Sequence, residues 1–339
     1  MSNPKYHHLI SQTYLKAWCY SNKSIYVISK HNERDFQSRN IENNFGITQF
    51  HTIKAGMPIC EENDLIKIYE CLKDYNVFYK EKHLKNYREY NNLYSLFDKW
   101  VIQQDGRKIL SKEKNILKSK IDKVKILDIE NMWEQKYEGK WNSIRDNIEE
   151  SILNNDLTEA DEFDKDIIIK SIIAFNWRGF SSDEYFNKVS KWVCNIAGLQ
   201  NISIPVESRQ KEFLSTAEEE IRHYLLLRKY REFLRDKGII YDMAKNYSKH
   251  LNIKFYVATE RARFITSDNP SFLCDNIHGQ KTHVIPISPQ IVIALGKIDE
   301  SKGKYLIERI GDNEVNQINK IIYNHSINRL ISNINKLSF

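Results

Sequence analysis

Ile253-Lys254-Phe255-Tyr256-Val257-Ala258-Thr259 is where the character of this chain changes. Apolar and β-branched residues alternate there with the period of a strand. Upstream, from Glu61 to about Lys249, helical spacing dominates. Leu84, Tyr87, Tyr94, Phe97 and Val101 fall on one helical stripe, and Ile109, Ile116, Ile121, Val124 and Leu127 on another. Asp164–Trp177 is the most apolar helical stretch. Thr216 opens a long helix with Glu218, Glu219 and Glu220 in its first turn, where the helix dipole favours acids, and Gly238 is its expected stop.

Downstream, Phe264–Thr266, His283–Ile287, Ile291–Leu295 and Tyr305–Arg309 read as further strands, set off by Gly and Pro, and Asn313–Ile331 reads as a closing helix. The N-terminal side has a matching signal in Ser24–Ser29 (S-I-Y-V-I-S), then a polar segment Lys30–Asn44, then a short strand at Gln49–Ile53. Strands at both ends and helices between predict an α+β fold, with one mixed or antiparallel sheet built from both chain ends. The expected division is 1–60 with 250–339 as the strand-bearing portion, and 61–249 as a helical insertion or cover.

Composition bounds the function. The chain has 339 residues, 41% of them hydrophobic, enough for a sizeable core. No apolar run is long enough for a membrane helix, and the polar start lacks a secretory pattern, so a cytoplasmic protein without a membrane partner is expected. The five cysteines, Cys19, Cys60, Cys71, Cys194 and Cys274, are odd in number and far apart, which fits neither a disulfide framework nor a zinc ribbon. A net charge of +6 permits nucleic-acid binding without requiring it. Walker A, G-x-G-x-x-G, H-E-x-x-H and G-x-S-x-G patterns are absent, which disfavours P-loop, dinucleotide, zincin and α/β-hydrolase chemistry.

Six features could carry chemistry. His7-His8 suits a general base with its partner, a pair of metal ligands, or a plain polar pair; neighbouring side chains do not share a face. Arg178 ends the most apolar helix and must pair with an acid, cap the helix or line a cavity. Ser267-Asp268-Asn269-Pro270 is either a self-bonded turn or a carboxylate presented at a strand end. Lys112, Lys118, Lys120 and Lys123, within a Lys-rich run from Lys108 to Lys125, form either a phosphate-binding face or a solvated one. Tyr75, Tyr79, Tyr87, Tyr90 and Tyr94 are base-stacking candidates whose helical spacing also suits a core. His278 and His283 are a weak metal pair. The cofactor is left open, with a divalent metal compatible with the histidines and Asp268.

These pieces line up with a known pattern. His7-His8-Leu9-Ile10-Ser11-Gln12-Thr13-Tyr14-Leu15-Lys16-Ala17-Trp18 resembles the opening of the domain-of-unknown-function family 4238, as do Ile25–Lys30, the arginine of Asn176-Trp177-Arg178, Phe264–Pro270, and Val284-Ile285-Pro286-Ile287-Ser288-Pro289. Ser11 departs from the pattern, which usually has proline there. The resemblance implies bacterial and phage-like contexts and no set activity. It implies that the motifs at the two ends belong together, so that His7, His8, Arg178, Ser267, Asp268 and Asn269 would make one polar site. Three readings follow. One is a nuclease or phosphodiesterase acting on RNA or another nucleic acid, in defence or as a toxin. The second is a non-enzymatic module binding nucleic acid or protein. The third is a small-molecule hydrolase or sensor.

Overall fold

A computed structural model describes residues 6–154, 159–160, 163–179, 183–275, 277, 279, 281–297 and 305–337. The fold is α+β and resolves into two compact units. The first comprises residues to Thr48, Met132–Tyr185 and Lys229 onward; the second comprises Gln49–Asn131 and Phe186–Arg228. Among the described residues, no helix is long and apolar enough to cross a membrane.

In the first unit both chain ends enter one four-stranded antiparallel sheet. Its order is Thr266–Ser267, Arg329–Ser332, Ser24–Ser29, Asn32–Asn40. Two of these strands lie where other structure is expected. Asn32–Asn40 falls in the polar segment; it is an edge strand and pairs along a hairpin with Ser24–Ser29. Arg329–Ser332 takes the end of the expected closing helix, which stops at His325.

A six-stranded mixed sheet runs Phe272–Asp275, Lys281–Pro286, Ile291–Lys297, Leu251–Ala258, Tyr305–Ile310, Glu159–Ala160. Only Leu251–Ala258 with Tyr305–Ile310 pairs in parallel. The strand expected at Ile253–Thr259 is present as Leu251–Ala258, and with neighbours on both sides in the sheet its Ile253, Phe255, Tyr256 and Val257 are all buried.

Helix Lys165–Trp177 is the apolar helix of the sequence. The Asp164 carboxylate caps it, accepting from the Asp166 and Ile167 amides. Ile168, Ile169, Ile172, Ile173, Ala174 and Phe175 are buried, and each large side chain contributes about 1.5–3 kcal/mol by burial. Gly238–His250 packs against this helix.

The second unit corrects the helical reading of its first half. Asn76–Tyr79 pairs with Lys82–Leu84 and with Val101–Gln104, which pairs in turn with Arg107–Lys108. The turns are Lys80-Glu81, at φ +46° and +66°, and Asp105-Gly106, at +48° and +77°. Positive φ at both central residues is what a type I′ hairpin turn needs. The supposed stripe from Leu84 to Val101 is thus shared among strand, helix and 3-10 turn. Tyr87, Tyr90 and Tyr94 join Tyr69, Phe97 and Trp100 in an aromatic cluster, with centroid separations from 4.8 to 6.3 Å. They pack on one another as core residues do.

None of the five cysteines is in a disulfide, and burial pushes the thiols of Cys19, Cys71, Cys194 and Cys274 upward, the opposite of what a nucleophile needs.

Candidate functional site

The N-terminal motif begins as the strand Tyr6–His8, antiparallel to Gly46–Thr48. His7 is fully buried and opposite Ile47. His8 alternates to the other face. Its Nδ1–H donates to the Asn44 carbonyl at 3.2 Å, and its Nε2 accepts from the Gln12 amide at 2.6 Å. The two bonds fix the orientation of the ring.

Ser11, in the place of the pattern's proline, caps the next helix by accepting from the Thr13 and Tyr14 amides. Its hydroxyl donates to Glu138 Oε1 at 2.6 Å, and the Trp133 indole donates to Oε2 of the same carboxylate at 2.6 Å. Tyr14, fully buried, donates to the Pro286 carbonyl and lies 2.6 Å from Thr266 Oγ1. This single side chain joins the first motif to the last two.

Arg178 is buried, with its guanidinium 4.4 Å from the Trp133 ring centroid and Nε donating to the His8 carbonyl at 2.7 Å. Burying a guanidinium is costly unless its donors are satisfied, and here the motif's own backbone takes one.

The S-D-N-P turn is bonded throughout. Ser267 Oγ donates to the Asn269 carbonyl and accepts from its amide. Asn269 Nδ2 donates to the His325 carbonyl. The Asp268 carboxylate accepts from the amides of Ile327, Asn328 and Arg329 at 2.8, 2.8 and 3.1 Å. Burial raises its pKa, while those three bonds and the Arg329 charge oppose the rise.

The two ends meet at a cleft of about 570 Å³. One side carries Tyr6, Leu9, Ile10 and the turn Asn43–Ile47; the other carries Asp268, Pro270, Ile327, Asn328 and Arg329, with Phe175 and Gly179 also lining it. The volume is that of a small-molecule site. Its most unusual residue is Phe45, at φ +62°. A bulky side chain in the left-handed region costs about 1–3 kcal/mol and points to function where the surroundings enforce it. The enforcement is visible: the Phe45 carbonyl accepts from the Leu9 and Ile10 amides. The exposed Arg329 guanidinium lies 5.7 Å from the Phe45 ring centroid. No sequence signal marks Phe45 beyond the turn-forming Asn44-Phe45-Gly46.

The N-terminal and S-D-N-P motifs thus border one cleft, and Arg178 ties its guanidinium to the backbone of the first. A family model described as "Protein of unknown function (DUF4238)" matches residues 6–336. The chain belongs to the DUF4238 family. No curated protein and no solved structure matches it.

The other candidate residues lie elsewhere. His278 falls outside the described residues. His283 is buried and bonded to Ser271 Oγ at 2.8 Å, and burial pushes its pKa down to about 4. In the second unit, Lys118 is paired with Asp98 at 2.9 Å, while Lys112, Lys120 and Lys123 are exposed on helix Ser111–Lys123.

The second unit also holds a pair that sequence reading missed. His51 Nδ1 lies 2.6 Å from Glu130 Oε1, with the imidazole fully buried. On the same segment, the Phe50 carbonyl accepts from His223 Nε2 at 3.1 Å, and the Gln49 and Thr52 carbonyls accept from Lys211 Nζ. Burial, then Lys211 and His51, hold the His223 pKa well below its ordinary value, so it is neutral.

Proposed function

We propose that the protein binds a nucleotide, or a nucleotide unit of single-stranded RNA or another nucleic acid, in the cleft between Asn43–Ile47 and Ile327–Arg329. The observation that carries this reading is Arg329, an exposed guanidinium propped over a strained Phe45 at the cleft wall. A guanidinium held by an aromatic ring is a pre-oriented fork for phosphate oxygens. The amides of Asn43, Asn44 and Asn328 supply donors and acceptors of the kind that read base edges, and the half-buried Tyr6 ring offers a stacking face. In this reading Ser267, Asp268, Asn269, His8 and Arg178 build the walls and touch no reacting atom. Fluorescence anisotropy with a labelled single-stranded RNA, competed by a mononucleotide, tests it. Arg329→Ala should weaken binding at least about tenfold, about 1.4 kcal/mol. Unchanged affinity in that variant, or no binding by the wild type, sinks the reading.

A second reading, hydrolysis of a phosphodiester, is favoured by the His51–Glu130 pair. A carboxylate on Nδ1–H fixes the tautomer that leaves Nε2 as the basic nitrogen, the arrangement used in general-base catalysis. Such an activity would serve a defence or toxin role. Purified protein should then degrade tRNA, mRNA or single-stranded DNA, with or without divalent metal, and Glu130→Gln should slow it about 100-fold or more. Substrates left intact under both conditions remove hydrolysis and leave binding.

A further inference from the structure

Three lysines gather in the second unit without an ion-pair partner among the described residues. Ile53 and Ile126 form an antiparallel bridge, with both backbone hydrogen bonds at 3.0 and 2.9 Å. That register sets Lys54 directly opposite Lys125, and directly opposed like charges are destabilising. Lys211 is buried at 4% exposure, with its ammonium bonded to the Gln49 and Thr52 carbonyls, on the segment that leads into the same bridge. Burial, then Lys54 and Lys125, push the Lys211 amine down to about 7. Burial and then Lys54 lower Lys125 as well, with Asp122 opposing.

Two acids act on them from a distance without an ion pair: Glu220, which feels Lys54, accepts from the Gln210 amide at 2.8 Å, and Asp122, which opposes the fall at Lys125, accepts from the Tyr94 hydroxyl at 2.7 Å. Among the described residues, Lys54, Lys125 and Lys211 take part in no ion pair. A solvated face would keep its ammonium groups apart and wet. Here one is buried and two are half-buried.

We infer that this unit binds a phosphate group between Lys54 and Lys125, with Lys211 behind them. A phosphate brings a charge of about −1.5 to −2 and three or more acceptor oxygens, enough to offset two ammonium groups, and lysine suits it as a compact point charge. The site lies in a different unit from the cleft and does not rest on that reading.

Isothermal titration of the full chain with inorganic phosphate, against chloride at equal ionic strength, is the test, with a short single-stranded oligonucleotide as competitor. Saturable binding is expected. Lys54→Gln and Lys125→Gln should each weaken it about tenfold or more. Displacement by the oligonucleotide identifies a polymer phosphate as the ligand; no displacement identifies free phosphate. The wild type supplies a measurement independent of any variant's folding: the Lys211 15Nζ titration should move up by about one pH unit or more in saturating phosphate. No saturable binding, full binding in both glutamine variants, or a stationary Lys211 titration overturns the proposal.

Discussion

The Asp268 carboxylate accepts from three successive backbone amides, those of Ile327, Asn328 and Arg329, and so pins the segment that leads from the last helix into strand Arg329–Ser332. An amide side chain offers one oxygen and turns two donors toward the same amides. Asp268→Asn should therefore destabilise the protein by about 1–3 kcal/mol, read from urea unfolding. A loss of ligand binding with unaltered stability would instead make Asp268 a contact residue. His283 gives a pH-dependent case at the same scale. Its folded pKa, about 4, lies below the ordinary 6.5, so the unfolded chain takes up the proton first as pH falls. Its contribution is intact above about pH 6.5 and is lost progressively down to about 4, on the order of 2 kcal/mol at pH 5. His283→Gln keeps a donor toward Ser271 Oγ and should flatten the fall in urea midpoint between pH 7 and 5. An equally steep fall in the variant assigns that acid sensitivity to other groups.

At the scale of elements, the ladder Tyr6–His8 with Gly46–Thr48 depends on a missing side chain. A Cβ on Gly46 would lie 2.5 Å from Tyr6 Cε1 and 2.6 Å from the His7 carbonyl oxygen. Neither the ring in the ladder nor the backbone can yield cheaply. Gly46→Ala should thus cost about 2 kcal/mol or more and lower nucleotide affinity with it, by opening the cleft wall. Thermal unfolding and anisotropy on one preparation check both, and a wild-type melting curve would refute the tight-packing argument. Much at this scale was legible. Ser24–Ser29 and most of Leu251–Ala258 carry their strand character openly, and Lys165–Trp177 stands out by its apolar run. The hairpins of the second unit were less so. Asp105-Gly106 is a strong local turn signal, yet Tyr94, Phe97 and Val101 also satisfy helical spacing, and the longer pattern hid the shorter one. Tyr185, Val189, Trp192 and Ile196 recur at helical spacing, yet all four are exposed on helix Asp183–Ala197, since periodicity reports a face and not what covers it. The His51–Glu130 pair was illegible for another reason: its partners are 79 residues apart, and contact across that distance leaves no local pattern.

Across the whole molecule, charge separates nonspecific attraction from a formed site. The net charge is +6, and the basic helix Ser111–Lys123 concentrates lysines with different duties. Lys114 donates to the Asp98 and Trp100 carbonyls, and Lys118 is paired with the Asp98 carboxylate, so these two fasten the turn before strand Val101–Gln104. Lys112, Lys120 and Lys123 project outward and are the members of the set suited to a phosphate backbone. Each phosphate neutralised on a single strand adds about 0.7 to the slope of log affinity against log salt. If this face holds nucleic acid, changing Lys112, Lys120 and Lys123 together to Gln should reduce that slope by about 2 with single-stranded RNA, while leaving stability unaltered. Arg329→Ala should act differently: one phosphate contact fewer, so a slope change under about 1, with affinity lowered at every salt concentration. Anisotropy titrations at four or five salt concentrations distinguish the two. A triple variant with the wild-type slope would take the Lys112–Lys123 face out of RNA binding.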